Sequence, residues 1–234
     1  LAALWWMTRP TADQLEDTQA EPTAASTADA AEWKLGSDPA KLPDSQLASL
    51  SGRITDEEGK AVEGAKACLR YATHEERSWF GGHPRCVDAK GDGSYLIEGV
   101  TPGRVVLQGQ APGYIARKYV VREARGRRHT QLRVLPAAQM LDLDIALEGG
   151  AVKLEGFVED LSGGVIEGAF VQNVGSWLGP DDGTSIAVTD AKGHFELWVR
   201  AGDLNLQADA DGYNRRGKST VAPGSTSSIR LTPE

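Results

Sequence analysis

The stretch that decides the fold is SGRITDEEGKAVEGAKACL, at Ser51–Leu69, because the chain repeats it as EGFVEDLSGGVIEGAFVQN, at Glu155–Asn173. Further along, CVDAKGDGSYLIEGV at Cys86–Val100 returns as VTDAKGHFELWV at Val188–Val199. Self-similarity of this kind indicates two copies of one folding unit. The spacing between equivalent residues shrinks along the chain, and such differences in length are typical of loops.

Each copy is predicted to fold as a small antiparallel β-sandwich. Apolar and polar residues alternate in Arg104–Gln108 and in Leu204–Ala208, and a period of two is typical of half-buried strands. The stretches Asp56–Gly59 and Asp88–Gly93 combine aspartate with glycine. They are predicted to be hairpin turns, because aspartate can hydrogen-bond its own backbone and glycine accepts positive φ. We expect about six or seven short strands in each copy.

A longer pattern connects these features to a known family. The order G-x-V-x-D-x-x-G-x-x-x-x-G-A-x-V, then T-D-x-x-G-x-F/Y, then G-x-Y, resembles the carboxypeptidase regulatory-like domain, a transthyretin-like β-sandwich. The first copy matches at Gly52, Asp56, Gly59, Gly64, Ala65, Asp88, Gly91, Tyr95, Gly113 and Tyr114. The second copy matches at Gly156, Asp160, Gly168, Ala169, Thr189, Asp190, Gly193, Phe195, Gly212 and Tyr213.

The resemblance covers Ser49–Thr232 and implies an all-β chain with two tandem transthyretin-like antiparallel β-sandwich domains. The first copy departs at Val87, where the family usually has Thr, and it carries a long insertion before its last strand. Domains of this family support, space or bind beside peptidases, outer-membrane receptors and surface proteins. The resemblance therefore implies a fold and no catalysis of its own.

The domain organisation is predicted from composition. Residues 1–7 contain a tryptophan pair in an apolar stretch, which favours the truncated end of a hydrophobic anchor or signal segment over a disordered end. Residues 8–48 are rich in Ala, Thr, Pro and acidic groups, and they are expected to form a flexible linker because they have too few apolar side chains to offset ordering entropy. The two domains are assigned to residues 49–148 and 151–234.

Two cysteines bear on the cellular compartment. Cys68 and Cys86 lie in predicted strands joined by a single loop, and strands joined in this way are expected to be neighbours within bridging distance. A disulfide is therefore predicted, with two buried free thiols as the alternative. A disulfide together with the hydrophobic segment favours an extracytoplasmic location, periplasmic or on the cell surface, with membrane anchoring through the N-terminus.

The sequence offers no catalytic site. It has no His-Glu-x-x-His, Gly-x-Ser-x-Gly or phosphate-loop motif, so no catalytic residue, metal or cofactor is expected. His74, His83, His129 and His194 fall in separate predicted loops without ligand partners at metal-binding spacing. Lys90 stands where a calcium loop would need a ligand oxygen, which makes the Asp88–Gly93 stretch a turn.

A basic segment inside a chain of net charge −8 is a candidate binding surface. Concentrated positive charge favours an anionic partner, such as lipid headgroups, an acidic polysaccharide or an acidic protein face. Nucleic acid is not expected, because Tyr119 is the segment's only aromatic residue. The alternative is a solvated hairpin whose arginines pair with the chain's own carboxylates. The candidate residues are Arg117, Lys118, Arg122, Arg125, Arg127, Arg128 and Arg133.

Aromatic residues form a second candidate surface. Trp79 and Phe80 in the first copy and Trp177 in the second occupy corresponding glycine-flanked loops. Such rings could form a platform for a sugar or a peptide, or they could fold back over each sandwich.

These features predict a non-enzymatic, membrane-tethered, extracytoplasmic protein that binds and spaces. It would be an accessory or structural subunit of a cell-envelope assembly, with a protein partner in that complex. The alternative function is a carbohydrate- or peptide-binding module that uses the Trp79 and Trp177 loops.

Overall fold

The computed structural model describes residues 42–71, 81–122, 128–174, 183–202, 204–214 and 216–234, and for residues 81–83, 174 and 216–220 the backbone alone. In these residues the regular structure is β, apart from one turn of 3-10 helix at Asp44–Gln46. The predicted all-β fold class is confirmed.

The strands fall into two groups along the chain. The first group is β1 (Ala48–Thr55), β2 (Lys66–Tyr71), β3 (Gly81–Asp88), β4 (Ser94–Val100), β5 (Gly103–Ala111), β6 (Tyr114–Lys118), β7 (Val121–Arg122), β8 (Arg128–His129), β9 (Gln131–Val134), β10 (Gln139–Met140), β11 (Ile145–Ala146) and β12 (Glu148–Gly149). The second is β13 (Val152–Glu159), β14 (Phe170–Val174), β15 (Ile186–Val188), β16 (His194–Val199), β17 (Leu204–Asp209), β18 (Tyr213–Asn214), β19 (Arg216–Val221), β20 (Thr226–Arg230) and β21 (Thr232–Pro233).

Strands β1–β12 form the first sandwich. In its smaller sheet, β1 pairs antiparallel with β4 and parallel with β10 and β11, which follow one another along its other edge. The larger sheet has the order β12-β6-β5-β2-β3, and β9 pairs with the part of β5 that β6 leaves uncovered. Leu50, Ile54 and Ile97 from the smaller sheet pack with Leu69 and Leu107 from the larger one, all of them fully or almost fully buried.

Strands β13–β21 form the second sandwich. Here β13 takes the role of β1, since it pairs antiparallel with β16 and parallel with β20. The facing sheet has the order β15-β14-β17-β19. Leu154, Val158, Phe195, Leu197 and Leu206 fill the space between the two sheets. In both sandwiches the alternation of apolar residues along each strand therefore directs one face inward, as the period of two requires.

The predicted turn at Asp56–Gly59 is confirmed. The Asp56 carboxylate accepts hydrogen bonds from the backbone N–H groups of Glu58 at 3.1 Å and Lys60 at 2.8 Å. Gly59 has a φ of 81°, a conformation that costs glycine little because it has no Cβ. Side-chain capping and a left-handed glycine together reverse the chain after β1.

The second predicted turn is confirmed as a turn, but its predicted alignment between the two copies is wrong. The Gly93 N–H bonds to the Lys90 carbonyl, and the Gly193 N–H bonds to the Asp190 carbonyl, both at 2.8 Å. Lys90, and not Asp88, is therefore the structural equivalent of Asp190.

The error has a physical cause. The tetrapeptide Asp-Ala-Lys-Gly occurs in both copies, but its distance from the core aromatic residue differs. Tyr95 pairs with Gly52, and Phe195 pairs with Gly156. The buried rings therefore set the strand register, and the exposed tetrapeptide lies at a different distance from the ring in each copy. Ala89, rather than Val87, stands where the second sandwich has Thr189. The Ala89 N–H donates to the carbonyl of Ala65, just before β2, and the Thr189 N–H donates to the carbonyl of Ala169, just before β14.

The predicted linker 8–48 overlaps the described residues at its end. Ala48 is the first residue of β1 and is buried, and the Ala137 N–H donates to the Gln46 carbonyl at 3.0 Å. Residues 1–41, which include the predicted hydrophobic segment 1–7, lie outside the described residues.

Candidate functional site

The two sandwiches meet at a buried junction. Side chains on β2 alternate, so Ala67 and Leu69 enter the first core while Cys68 points to the opposite face of the sheet. There Cys68 packs with Phe170 of β14 and Ile186 of β15 in a separate buried cluster. The outer face of one sheet is thus covered by the outer face of a sheet from the other sandwich.

The predicted disulfide lies at this junction. Cys68 and Cys86 are directly opposite each other on β2 and β3 and are bonded to one another, which confirms the predicted pairing. Cys68 is fully buried whereas Cys86 is exposed. The bridge therefore joins the outermost strand of the larger sheet to the strand on which the second sandwich rests.

An amide side chain continues the contact along a strand edge. Gln110 of β5 donates from Nε2 to the Ile186 carbonyl at 3.0 Å and accepts from the Ile186 N–H at Oε1 at 3.3 Å. The first sandwich thereby supplies both hydrogen bonds that a neighbouring strand would give to this residue of β15.

A buried arginine lies beside this edge. The Arg70 guanidinium carbon is 6.0 Å from the centroid of the Phe170 ring, and Nη1 is 3.5 Å from Gln172 Oε1. Gln172 in turn donates to Gln207 Oε1 at 3.0 Å. The buried polar groups of the junction are thus linked into a network.

An ion triad closes the junction at its margin. Both Glu148 oxygens accept from Arg200, at 2.9 and 2.8 Å, and Oε2 also accepts from Arg117 Nη2 at 2.8 Å. Arg117 and Glu148 belong to the first sandwich, and Arg200 directly follows β16 of the second. Hydrogen bonds from Arg200 and then from Arg117 hold the pKa of the Glu148 carboxyl down to about 2. A two-pronged guanidinium contact of this kind fixes direction as well as distance.

Arg117 is therefore part of the junction rather than of an open basic surface. Lys118, the next candidate, pairs by its backbone with Gln108 and also has an interaction within the chain. Arg117 matches the alternative interpretation of the basic segment, in which its arginines pair with the chain's own carboxylates.

The remaining described candidates lie further from the junction. Arg122 and Arg128 are directly opposite each other on β7 and β8, and both are exposed. Arg133 on β9 is exposed and directly opposite Arg104 on β5. Arg125 and Arg127 lie outside the described residues.

Several predicted site residues cannot be placed. Trp79, Phe80 and Trp177 belong to residues 72–80 and 175–182, which the structure does not describe. Their role as an aromatic surface stays a prediction.

The predicted loop positions of the described histidines are wrong. His83 lies in β3, His129 in β8 and His194 in β16. His194 precedes the buried Phe195, so its side chain lies on the opposite face of β16. It contacts the Phe157 ring edge-on at a centroid distance of 5.2 Å, and its Nε2 lies 3.7 Å from a Glu155 oxygen. Within the described ranges, no group of three or more His, Cys, Asp or Glu side chains is placed to hold a metal ion. In the same ranges, no helix has the length and apolar character needed to cross a membrane.

Residues of the junction and Arg104 were missed by reasoning from sequence. Gln110, Glu148 and Arg200 are single polar residues in different strands or turns, and nothing local distinguishes them. Arg104 precedes the basic segment in sequence and joins Arg133 only through strand pairing. The sequence signal that could have pointed to Arg104 is a charged residue in an alternating strand that is expected to pair with a basic strand.

Comparison with known families finds a match in the second sandwich. Residues 153–234 match the sequence model of the carboxypeptidase regulatory-like domain. The first sandwich lies outside this match. A search among curated protein sequences finds no match.

Solved structures show distant likenesses. A streptococcal ancillary pilin is 8% identical with a TM-score of 0.32, over 82% of this chain and 64% of the pilin. The Bacillus anthracis TIE protein is 14% identical with a TM-score of 0.30, over 80% of this chain and 34% of that protein. The shaft pilin SpaA of Lactobacillus rhamnosus GG is 15% identical with a TM-score of 0.29, over 81% of this chain and 98% of the pilin. The chain thus spans less than two thirds of the length of the first two, and we draw no function from likenesses at these TM-scores.

Proposed function

We propose that this chain is a non-enzymatic accessory or structural protein of an extracytoplasmic assembly, in which the two sandwiches act as one rigid spacer. The observation that carries the proposal is the junction. Two domains joined only by a short connection would move independently, unless an interface with buried contacts holds them.

The junction has the three properties that a fixed interface needs. Cys68, Phe170 and Ile186 are buried together, which removes apolar surface from water. Gln110 satisfies an edge residue of β15 with two hydrogen bonds. Glu148 binds Arg200 through both of its oxygens. Bending would therefore break apolar, polar and ionic contacts at the same time.

Other features of the chain support the location and the class of function. A disulfide is typical of oxidising compartments outside the cytoplasm. The match of residues 153–234 to the carboxypeptidase regulatory-like domain supports a supporting or binding role, and the shared turns of both sandwiches support two tandem copies. Tethering to a membrane through residues 1–7 and the linker, and a protein partner in a cell-envelope complex, complete the proposal on the sequence alone.

The rigid spacer is tested by measuring the distance between the two sandwiches. Spin labels carried by non-natural amino acids at Lys60 and Lys192, both exposed, would be measured by double electron–electron resonance. A single narrow distance distribution is expected. Glu148→Ala combined with Gln110→Ala should broaden it, while Arg230→Gln, which removes an exposed ion pair with Glu159 elsewhere, should leave it unchanged. A broad distribution in the unaltered protein would rule out a spacer of fixed geometry.

A further inference from the structure

The sheet that contains β13 and β16 has an outer face of unusual composition. Along both strands the inward residues are buried, and the outward residues between them are exposed or half-buried. An outward face needs only polar side chains, yet two of these residues are aromatic. Six outward residues form directly opposed pairs, and we call them the outer-face cluster: Lys153 with Trp198, Glu155 with Glu196, and Phe157 with His194.

A central lysine holds the carboxylates of the outer-face cluster. Lys153 Nζ lies 2.9 Å from Glu155 Oε2 and 2.8 Å from Glu196 Oε2. Hydrogen bonds to Glu196 and then to Glu155 raise the pKa of the Lys153 amine, which keeps the ammonium charged. Trp198 Nε1 donates to Glu196 Oε1 at 2.9 Å. The same carboxylate therefore contacts the lysine and orients the indole ring.

The two aromatic residues lie at opposite ends of the cluster. The pair of Phe157 and His194 is four residues along the strands from the pair of Lys153 and Trp198, which is about 13 Å at the rise of a β-strand. Both carboxylates lie between these ends. The apolar faces of sugar rings can stack on aromatic side chains, and sugar hydroxyls can donate to carboxylates. The span is longer than one sugar ring, so it suits a chain of several.

The first sandwich lacks this cluster. The pairs of Tyr95 with Gly52 and Phe195 with Gly156 set the equivalence between the two sheets. The positions of Glu155, Phe157, His194 and Glu196 are occupied in the first sandwich by Ser51, Arg53, Ser94 and Leu96. The shared fold therefore does not require the cluster, and a role specific to the second sandwich can account for it.

The charges of the cluster favour an uncharged ligand. Two carboxylates would repel an anion, and a cation would have to displace Lys153 from between them. A carboxylate oxygen can accept more than one hydrogen bond. Hydroxyl groups can therefore add to Glu155 and Glu196 while the contacts with the lysine remain.

We propose that the outer-face cluster binds an extended neutral polysaccharide, with sugar rings stacked on Trp198 and Phe157 and sugar hydroxyls donating to Glu155 and Glu196. The contacts within the cluster hold these side chains before a ligand arrives, so little side-chain freedom is lost on binding. The site goes beyond the spacer role. It is independent of the junction and of the loops that contain Trp79 and Trp177.

The test titrates the full chain with cellohexaose, xylohexaose and chitohexaose in calorimetry. We expect at least one of them to bind, with an affinity that changes little as salt rises, since a neutral ligand has no charge to screen. Trp198→Ala and Phe157→Ala should each weaken binding by about tenfold or more through lost stacking. Leu96→Ala, which removes an exposed apolar side chain from the corresponding face of the first sandwich, should leave binding unchanged. Absence of binding by all three sugars would overturn the proposal.

A spectroscopic measurement keeps the test valid if an alanine variant does not fold. The indole N–H resonance of Trp198, assigned by its loss in Trp198→Phe, should shift when the bound oligosaccharide is added to the unaltered protein. Because Trp198→Phe keeps an aromatic ring, it should bind with intermediate affinity. An indole resonance that stays in place while a sugar binds would put the site elsewhere.

Two further probes test competing explanations. Trp79→Ala combined with Trp177→Ala should keep full affinity, and loss of binding in that variant alone would assign the sugar to the loops instead. A peptide of alternating Lys and Ser tests a cationic partner. If it binds more tightly than every oligosaccharide and is lost in Glu155→Gln combined with Glu196→Gln, a basic peptide is the occupant and the polysaccharide is not.

Discussion

The two sandwiches close the same turn with different side chains. In the second, Thr189 Oγ1 accepts from the Ala169 N–H at 2.8 Å and donates to the Ile166 carbonyl at 2.7 Å. In the first, Ala89 occupies that position and makes neither bond. The glycine that ends the turn is present in both, with φ of 82° at Gly93 and 70° at Gly193.

The aspartate that caps this turn also differs in place. Asp190 accepts from the backbone N–H of His194 at 2.9 Å, whereas Asp92 in the first sandwich accepts from the N–H and hydroxyl of Ser94 at 2.9 and 2.6 Å. These hydrogen bonds lower the pKa of each carboxyl. The comparison teaches that the backbone path is held by glycines and buried rings, while the capping side chain can move by two residues.

If that is correct, a methyl group on a buried glycine should do more harm than loss of any cap. A Cβ at Gly156 would meet the Ser227 carbonyl and, at 2.7 Å, the Phe195 ring. Gly156→Ala is expected to lower the free energy of unfolding by about 3 kcal/mol or more, since backbone on the neighbouring strand cannot yield easily. Chemical denaturation followed by tryptophan fluorescence measures the change.

Gly91→Ala is the matched control, because no atom lies within 4 Å of its added Cβ. It should change the free energy of unfolding by less than about 0.5 kcal/mol. Equal effects of the two substitutions would contradict the role assigned to close packing at Gly156.

The disulfide is the second difference between the sandwiches. Cys68 and Cys86 are paired across β2 and β3, and the pair at the same position of β14 and β15 is Gln172 and Ile186. Replacing the cysteines as Cys68→Ala with Cys86→Ser should destabilise by about 3 kcal/mol, because the unfolded chain regains loop entropy. Hydrogen exchange resolved by residue should show the loss at β2 and β3, with the β13–β16 core unaffected.

Reducing agent applied to the unaltered protein provides the control for that variant. It should reproduce the loss of protection and leave the double variant unchanged. A uniform loss across both cores would show instead that the sandwiches unfold as a single cooperative unit.

The junction differs from both cores in depending on ionised groups. The pKa of Glu148 is lowered from 4.5 to about 2, so its contribution is fully present above pH 4.5 and is lost as pH falls toward 2. Glu148→Gln should lower the free energy of unfolding at pH 7 by about 1–2 kcal/mol, less than a fully buried charged pair because these groups are half-exposed. Measured against pH, the difference between the two proteins should shrink as the pH falls through that window.

Glu159→Gln serves as the comparison, because Glu159 contacts Arg230, whose side chain is largely exposed, at 3.7 Å. Its effect should stay below about 1 kcal/mol. A difference between Glu148→Gln and the parent that persists unchanged at pH 2 would mean that shape rather than charge holds the junction.

Local signals predicted most of the fold and little of the site. Alternating strands such as β5 and β17, and the Asp56 turn, depend on neighbours in sequence. Cys68 and Cys86 were also within reach, because one loop joins their strands. The alignment of Asp88 with Asp190 was wrong because it followed the repeated Asp-Ala-Lys-Gly tetrapeptide. The register is set by the buried rings of Tyr95 and Phe195, and their burial cannot be read from composition.

The junction and the arginine pairs depend on pairing between distant segments. Glu148 meets Arg200, and Arg104 meets Arg133, only once strand register is set. The residues of the basic segment therefore have different surroundings in the fold. Arg117 binds Glu148 at the junction, whereas Arg133 faces Arg104. Charge composition could predict the excess of cations but not their division.

The smallest expected effect tests the turn comparison directly. Thr189→Ala removes the acceptor of the buried Ala169 N–H and the donor to Ile166, and should cost about 1 kcal/mol. The reciprocal Ala89→Thr places a hydroxyl at the equivalent position of the first sandwich, where Ala89 bonds by its own N–H to the Ala65 carbonyl at 2.8 Å. It should stabilise by less than about 1 kcal/mol, because it adds hydrogen bonds at a turn that already closes without them. Thermal unfolding of both variants and their combination measures the pair, which should be additive since the sites lie in separate cores. If Thr189→Ala were to cost as much as Gly156→Ala, the Thr189 hydroxyl would matter as much as the close packing at Gly156, and the two sandwiches would owe their shared path to different causes.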